Sequence, residues 1–526
     1  MLSYALVPLL AFAALAMWAL SSPVGSSPDE DYHLASVWCG GGLEDGTCEE
    51  GAQADEREVP ASVAQAAGCF AFHPETSAHC QAGLLYEDAP RLVNTDRGNF
   101  TGGYPPVFYA TMSLFVGDDV SRSVLAMRLV NAALFVGLLT AVFWLLPRSR
   151  RTMLTFGTTV ALVPLGVFIV PSVNPSSWAV TSCAVVFPAL VGYFESSGRR
   201  RLALGALAAL ATLMGAGARA DAAVYIAFAA VLAVVVSAPW RRDLWKLLIL
   251  PAVLCLGCAV SYLTSGQSEA ASQGLAGSVD QHAGLLAEIG YNVLNVPTLW
   301  AGALGSWGLG WLDTTMPSIV WVANLATFGA VLYVGMRQAS RRKVVAFVLT
   351  LAAVWAIPTV VLVQSNTVVG QQVQPRYLLP LLILLAQVAL FRVGPERQQF
   401  TRSQLVTAGA VLAVTNAVAL HFELRRYVTG DDVFGPNLDR GREWWWALPV
   451  TPMGVWLIGA VAFAAAAILC ARAVTAPVAD GGPIDAPEDG GGRWQDDEAA
   501  DDDDLGGGVP DSEGHAPVRR SVPALA

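Results

Sequence analysis

Twelve apolar stretches, most of them about 17–22 residues long, restrict the fold of this chain more than any other feature. They cover residues 2–21, 123–146, 153–171, 177–194, 202–217, 222–238, 247–264, 318–336, 344–363, 376–392, 404–421 and 452–472. At 1.5 Å per residue, runs of this length cross the roughly 30 Å hydrocarbon core of a bilayer. A helix in a soluble core is shorter and keeps a polar stripe. Only 14% of the 526 residues are charged and 54% are hydrophobic, whereas a soluble domain carries about 25% charge. The sequence therefore predicts an all-α integral membrane domain over residues 1–472, with about twelve transmembrane helices, and excludes a large soluble helical protein.

The net charge of -11 belongs almost wholly to the end of the chain. Residues 477–526 contain thirteen acids, including the run Asp501–Asp504, and three arginines. So little apolar surface cannot offset the entropy of folding, and residues 473–526 read as a disordered acidic tail in the cytoplasm.

Charge also orients the helices. Arg148, Arg150 and Arg151, then Arg199–Arg201, then Arg241, Arg242 and Lys246, then Arg337, Arg341, Arg342 and Lys343, and finally Arg392, Arg397 and Arg402 occupy every second loop. The positive-inside rule places these loops, and both termini, in the cytoplasm. The first apolar run has no basic residues before it and reads as an uncleaved helix rather than a signal peptide. Lys246 and Lys343 are the only lysines. That arginine bias, with abundant Ala, Gly and Val, points to a bacterial genome of high GC content and so to a bacterial plasma membrane.

Three segments are left outside: 22–122, 265–317 and 422–451. The first contains Cys39, Cys48, Cys69 and Cys80. An oxidising outer face permits disulfides. Of the three pairings four cysteines allow, the local ones, Cys39–Cys48 and Cys69–Cys80, are the simplest. Zinc held by these cysteines with His73 and His79 is the alternative, but no Cys-X-X-Cys spacing supports it. The cysteines of the apolar runs read as packing residues.

Residues able to do chemistry gather at the same face. Pro28-Asp29-Glu30-Asp31-Tyr32-His33 follows the first helix directly. A carboxylate there could take a proton from a hydroxyl or hold a divalent cation, or the cluster could simply open a solvated loop. Gly102-Gly103-Tyr104-Pro105-Pro106-Val107-Phe108-Tyr109 starts a new helix at its proline pair, with aromatics suited to a membrane interface or to a substrate groove. Arg128 lies inside the second apolar run and Arg376 opens the tenth; charges so placed default to function, and arginine suits phosphate because its planar fork bonds two oxygens. Arg219 has a local partner in Asp221. Trp300 to Trp311 and Trp444–Trp446 read as interfacial belts.

This order of elements resembles a family of uncharacterised bacterial membrane proteins, known as a domain of unknown function, that looks like part of the GT-C glycosyltransferase superfamily. The resemblance rests on one helix, a large outer loop opening with Pro-Asp-Glu and His33, Tyr-Pro-Pro at Tyr104, Arg128 entering the second helix, and Arg-Tyr-Leu-Leu-Pro from Arg376. It covers roughly residues 1–470. It implies transfer of a sugar, with inversion, from a polyprenyl-phosphate or polyprenyl-diphosphate donor to an envelope glycan or lipid acceptor. Asp29 or Glu30 would be the catalytic base, with Asp29 favoured. Arg128 and Arg376 would bind the donor phosphate. Asp31, His33, Tyr104 and Tyr109 would line the substrate groove. Some relatives of this kind bind Mg or Mn beside the acid, and others use no metal. No nucleic-acid partner is expected. Two other classes fit the same helix count, a flippase for lipid-linked intermediates and an envelope-assembly scaffold. A transporter would show similar halves and mid-membrane polar residues, and neither is visible here.

Overall fold

A computed structural model describes residues 2–87, 91–239, 244–267, 284–337, 339–392 and 400–475. The acidic tail from Pro477, and Arg241, Arg242, Glu269, Asp280, His282 and Arg397, lie outside the described residues.

Every expected apolar run falls on helix. In chain order the elements that matter are α1 (Leu2–Ser21), α2 (Glu30–Trp38), β1 (Glu49–Glu50), β2 (Arg57–Pro60), β3 (Leu92–Thr95), α3 (Val107–Met112), α4 (Val120–Leu145), α5 (Arg148–Leu162), α6 (Ser176–Glu195), α7 (Gly198–Ala216), α8 (Ala220–Ser237), α9 (Leu244–Thr264), α10 (Leu285–Asn295), α11 (Ser318–Gly335), α12 (Arg341–Gln364), α13 (Pro375–Leu390), α14 (Arg402–Val428) and α15 (Pro452–Thr475). Local signals set several starts. Asp119 accepts from the backbone of Arg122 to cap α4, Ser340 caps α12, Thr401 and Gln404 form a capping box on α14, and Pro375 occupies the first turn of α13.

Among the described residues, eight helices are long and apolar enough to cross a membrane: α4, α6, α8, α9, α11, α12, α14 and α15. This is fewer than twelve. α1 and α13 are apolar but offer shorter stretches, and α5 and α7 open on arginines. The run at 153–171 is also not one helix. α5 stops at Leu162, and a separate turn, Leu165–Ile169, follows Pro164, whose ring cannot donate to a continuing helix. At the other end of the chain α15 extends to Thr475, slightly past the boundary expected for the tail.

α6 and α13 are the centre of the bundle. α6 buries all its residues but Glu195, and α13 all but Tyr377. Gln387 of α13 donates to Ala184 O of α6 at 2.8 Å and to Thr158 Oγ1 of α5 at 3.1 Å, a polar clasp within apolar packing. α1 is an integral member of the bundle, with Trp18 buried and its indole donating to Asn416 of α14.

The basic loops share one end of the bundle. Arg150 bonds Glu195 and the carbonyl of Arg392, Arg200 the carbonyl of Leu145, and Arg342 the carbonyl of Ala238. The segment after α1 lies at the other end. It carries a small antiparallel sheet, β1-β2-β3, with Glu50 opposite Arg57 and Val59 opposite Val93. Disulfides join Cys39 to Cys48 and Cys69 to Cys80, which removes these thiols as zinc ligands. Cys183, Cys255, Cys258 and Cys470 are unpaired thiols within helices.

Two aromatic expectations fail for one reason. Trp445 and Trp446 are buried, Trp446 donating to Leu20 O, so they pack the end of the bundle rather than facing lipid. Phe108 and Tyr109 are likewise buried against neighbouring helices.

Candidate active site

The segment from Ser22 to Pro28 passes between helix ends as a strap held largely by its carbonyls. Arg128 donates to Ala19 O (3.1 Å) and Pro23 O (2.7 Å), Trp311 to Gly25 O (2.9 Å), and Asn174 and Arg376 to Pro28 O (2.8 and 3.0 Å). Gly25 has φ +81° and Ala67 lies 3.0 Å from where a β-carbon would sit, so both conformation and space require glycine.

Pinned this way, the strap delivers Asp29 as the residue before α2, in the left-handed region with φ 59° and ψ 21°. Aspartate tolerates this region better than most side chains. Its carboxylate makes no capping bond. Instead Oδ2 accepts from Arg376 Nη2 at 2.5 Å, and Oδ1 lies 3.8 Å from Arg97. Arg376 is 3% exposed, while the Asp29 side chain is 43% exposed. The result is an accessible carboxylate backed by a buried cation. Partial burial pushes its pKa up, but the charge and hydrogen bond of Arg376, helped by His33 and Arg97, outweigh this and hold it below the ordinary carboxylate value.

Glu30 and Arg128 are placed quite differently. Glu30 is fully buried, and Arg128 Nη2 reaches both its oxygens at 2.9 and 3.1 Å. The backbone of Ser27 and of Val173 donates to the same carboxylate. The bonds these two groups make are all turned inward. Glu30 therefore has no path to a hydroxyl, and Arg128 none to a phosphate. They build the strap, and their sequence assignment as base and phosphate ligand is corrected accordingly.

The remaining residues close around Asp29. Asp31 makes a two-point bond with Arg97 (2.5 and 3.0 Å). His33, one turn after Asp29, is buried and its Nδ1 lies 3.0 Å from Tyr109 OH. Tyr104 packs against Tyr32, His33 and Tyr109, with centroids 5.8, 5.5 and 6.3 Å away, and its backbone is fixed by a reciprocal pair of bonds with Asn99. Burial pushes the Tyr32 hydroxyl up to about 12 and raises Tyr104 and Tyr109 as well, so all three remain neutral donors.

Three participants were given no role from sequence. Arg97 carries no motif that marks it, and Tyr377 enters only as the tyrosine of Arg-Tyr-Leu-Leu-Pro. Arg219 reads locally as the partner of Asp221, and it is, at 2.8 and 2.9 Å. Its guanidinium also stacks over Tyr377 (4.9 Å) and Tyr104 (5.7 Å), joining Arg376, which lies over Tyr377 at 5.1 Å. Two cations thus share one aromatic wall. Among the described residues no three His, Cys, Asp or Glu side chains converge as metal ligands. Asp29 and Asp31 are each already paired with arginine, so the residues present do not fit a divalent cation and no step is routed through one.

Burial also pushes His33 down to about 3; Asp29 opposes this, while Arg376, Arg219 and Arg97 reinforce it. The unfolded chain therefore binds a proton below about 6.5 that the folded chain refuses until about pH 3. Stability is lost on acidification across that window, by up to about 1.4 kcal/mol per pH unit. Thermal unfolding followed from pH 7 to 4.5 should show this slope, and His33→Gln should flatten it. An unchanged slope in the variant would assign the loss to other groups.

The fold and this site define a multi-pass helical membrane protein with a charged, aromatic-walled site at one end of its bundle. The chain belongs to the family described as "Predicted membrane protein (DUF2142)", whose model matches residues 12–385. The match takes in the strap, Arg97, Arg128, Arg219 and Arg376. No curated protein and no solved structure matches the chain.

Proposed function

We propose that this protein is an inverting glycosyltransferase of the bacterial plasma membrane, moving a sugar from a polyprenyl-phosphate or polyprenyl-diphosphate donor to an envelope glycan or lipid. One observation carries the reading: the exposed carboxylate of Asp29 in contact with the buried guanidinium of Arg376, at a helix end within a membrane bundle. A lipid-linked phosphate arrives at just such a depth, with its tail in the bilayer and its sugar above. The arginine-rich loops at the opposite end would face the cytoplasm, leaving Asp29 outside and both termini inside.

In this reading the acceptor hydroxyl gives its proton to Asp29, and its oxygen bonds the anomeric carbon on the face opposite the phosphate. The bond from that carbon to the phosphate oxygen breaks, and the lipid phosphate leaves with the electron pair. Arg376 meets the charge that develops there, with Arg219 beside it on the Tyr104–Tyr377 wall. Asp29 stays ionised at neutral pH because Arg376 holds it so, which keeps it in the proton-accepting form. Tyr32 and Tyr104 offer neutral hydroxyls for sugar oxygens, and His33 with Tyr109 braces the wall from behind.

The test compares envelope glycans of a deletion strain, its parent, and strains complemented with variants. Wild type should restore a glycan that the deletion lacks, and Asp29→Asn should not. Full restoration by Asp29→Asn would sink the reading. Lipid flipping by the purified protein in vesicles, without sugar transfer, would replace it with a transport role. Arg376→Lys keeps the charge but loses the planar fork; about a 10²-fold fall in turnover is expected, measured with purified protein and lipid-linked donor.

A further inference from the structure

Phe72 stands out of the first outer segment with 68% of its surface exposed, and its backbone is left-handed at φ 64°. A bulky side chain rarely adopts that conformation, and such outliers gather at functional surfaces. Partners far along the chain hold it there. Its backbone N–H donates to Asp313 Oδ2 at 3.2 Å, and the buried Arg426 donates to the same oxygen at 2.8 Å. The Cys69–Cys80 disulfide brackets the turn that carries it.

The ring of Phe72 meets the half-buried indole of Trp311 edge to face, with centroids 5.3 Å apart. Trp311 is in turn fixed to the strap through Gly25 O, four residues before Asp29. Leu312, also left-handed at φ 65° and 43% exposed, continues the patch. It borders a small cleft together with Pro28 and Arg376. The patch therefore adjoins both the strap and the arginine behind Asp29. Four residues of chain span at most about 14 Å, so a short oligosaccharide resting on Phe72 and Trp311 extends to Asp29.

The surroundings select the ligand. His73 and Glu75 follow the ring, both exposed, with Nδ1 and Oε1 3.6 Å apart. The exposed Asp431 is held beside them by its backbone bond to Pro74 O. Charges so placed keep the patch in water rather than among lipid tails. An apolar patch rimmed by polar groups marks a binding surface. This one matches a pyranose, whose axial hydrogens cover an aromatic ring while its hydroxyls reach outward to carboxylate and imidazole. We infer that Phe72 and Trp311 form an acceptor subsite that stacks a sugar unit, so the acceptor is a glycan rather than a lipid. This rests on the transferase reading, and the experiment below separates the two.

Oligosaccharides released from the envelope of the deletion strain serve as the probe. Their binding to the purified full-length protein is measured by calorimetry without donor, and the KM values for these oligosaccharides and for lipid-linked donor are measured beside it. Phe72→Gly removes an exposed ring and suits the left-handed backbone, so it should fold as wild type does. Phe72→Leu keeps an apolar side chain but no ring. Both should weaken binding about tenfold and raise the KM for acceptor far more than that for donor, and Phe72→Tyr should behave as wild type. Wild-type affinity in Phe72→Gly, or no binding by wild type, would overturn the subsite and leave transfer at Asp29 untouched. Wild-type affinity in Phe72→Leu would also overturn it, by making the patch a plain apolar contact. Binding that is lost in Phe72→Gly, in a protein that transfers no sugar, would uphold the subsite and sink the transferase reading alone.

Discussion

Asp29→Asn should abolish sugar transfer while the protein accumulates in the membrane as wild type does. Losing a general base lowers rates by about 10²–10⁴-fold, enough to remove a glycan from a complemented strain. Folding should survive because the Asp29 side chain is 43% exposed and caps no helix. Asparagine also tolerates the left-handed backbone that Asp29 adopts, and its amide oxygen can still accept from Arg376. Arg376 also keeps its bonds to Pro28 O and Tyr377 OH. The wild-type pH profile offers a second check. With Asp29 held below the ordinary carboxylate value, transfer should not lose the base on falling from pH 7 to 5. An acid limb centred near pH 6 would point to a different group.

The neighbouring residue should behave in the opposite way. Glu30→Gln, or Arg128→Met, breaks an ion pair whose side chains are 0% and 1% exposed and leaves one charge buried without its counterpart. Such a loss costs about 3–5 kcal/mol, and with marginal native stability the expected result is little or no folded protein. Replacing both, as Glu30→Leu with Arg128→Met, should recover part of the loss, since a buried pair can be exchanged for apolar packing. Recovery should be incomplete because Arg128 also holds the carbonyls of Ala19, Ser22 and Pro23. Membrane levels and thermal unfolding of the three variants decide this. Normal levels of Glu30→Gln protein would show that the pair is not structural.

The contrast between positions 29 and 30 marks where sequence reasoning ran out. Run length and composition were enough for a helical membrane protein, and loop cysteine spacing was enough for both disulfides. Three consecutive acids drew attention to the right few residues. Nothing local could say which carboxylate faces outward, because that depends on the strap and on a backbone turn at Asp29 set by partners far along the chain. Arg128 and Arg376 carry equal weight as intramembrane arginines in sequence, yet one is turned to carbonyls and Glu30 while the other reaches the exposed acid. Arg97 looks like an ordinary loop residue until the fold sets it beside Asp31. Eight helices among the described residues, against about twelve expected, are long and apolar enough to span. α13 is enclosed by other helices and is shorter than these, and α5 stops at Leu162, two residues before Pro164.

The strap has a consequence for the order in which the protein is made. Asp29 leaves the ribosome 347 residues before Arg376, its closest charged partner. Glu30 waits only 98 residues for Arg128. During synthesis the inner pair can therefore form as soon as α4 inserts, while the strap still waits for Asn174, Trp311 and Arg376 and the Asp29 carboxylate for its main counter-charge. The site is completed only when α13 enters the centre of the bundle, so a chain cut short before that helix would lose one anchor of the Pro28 carbonyl together with the arginine behind the acid.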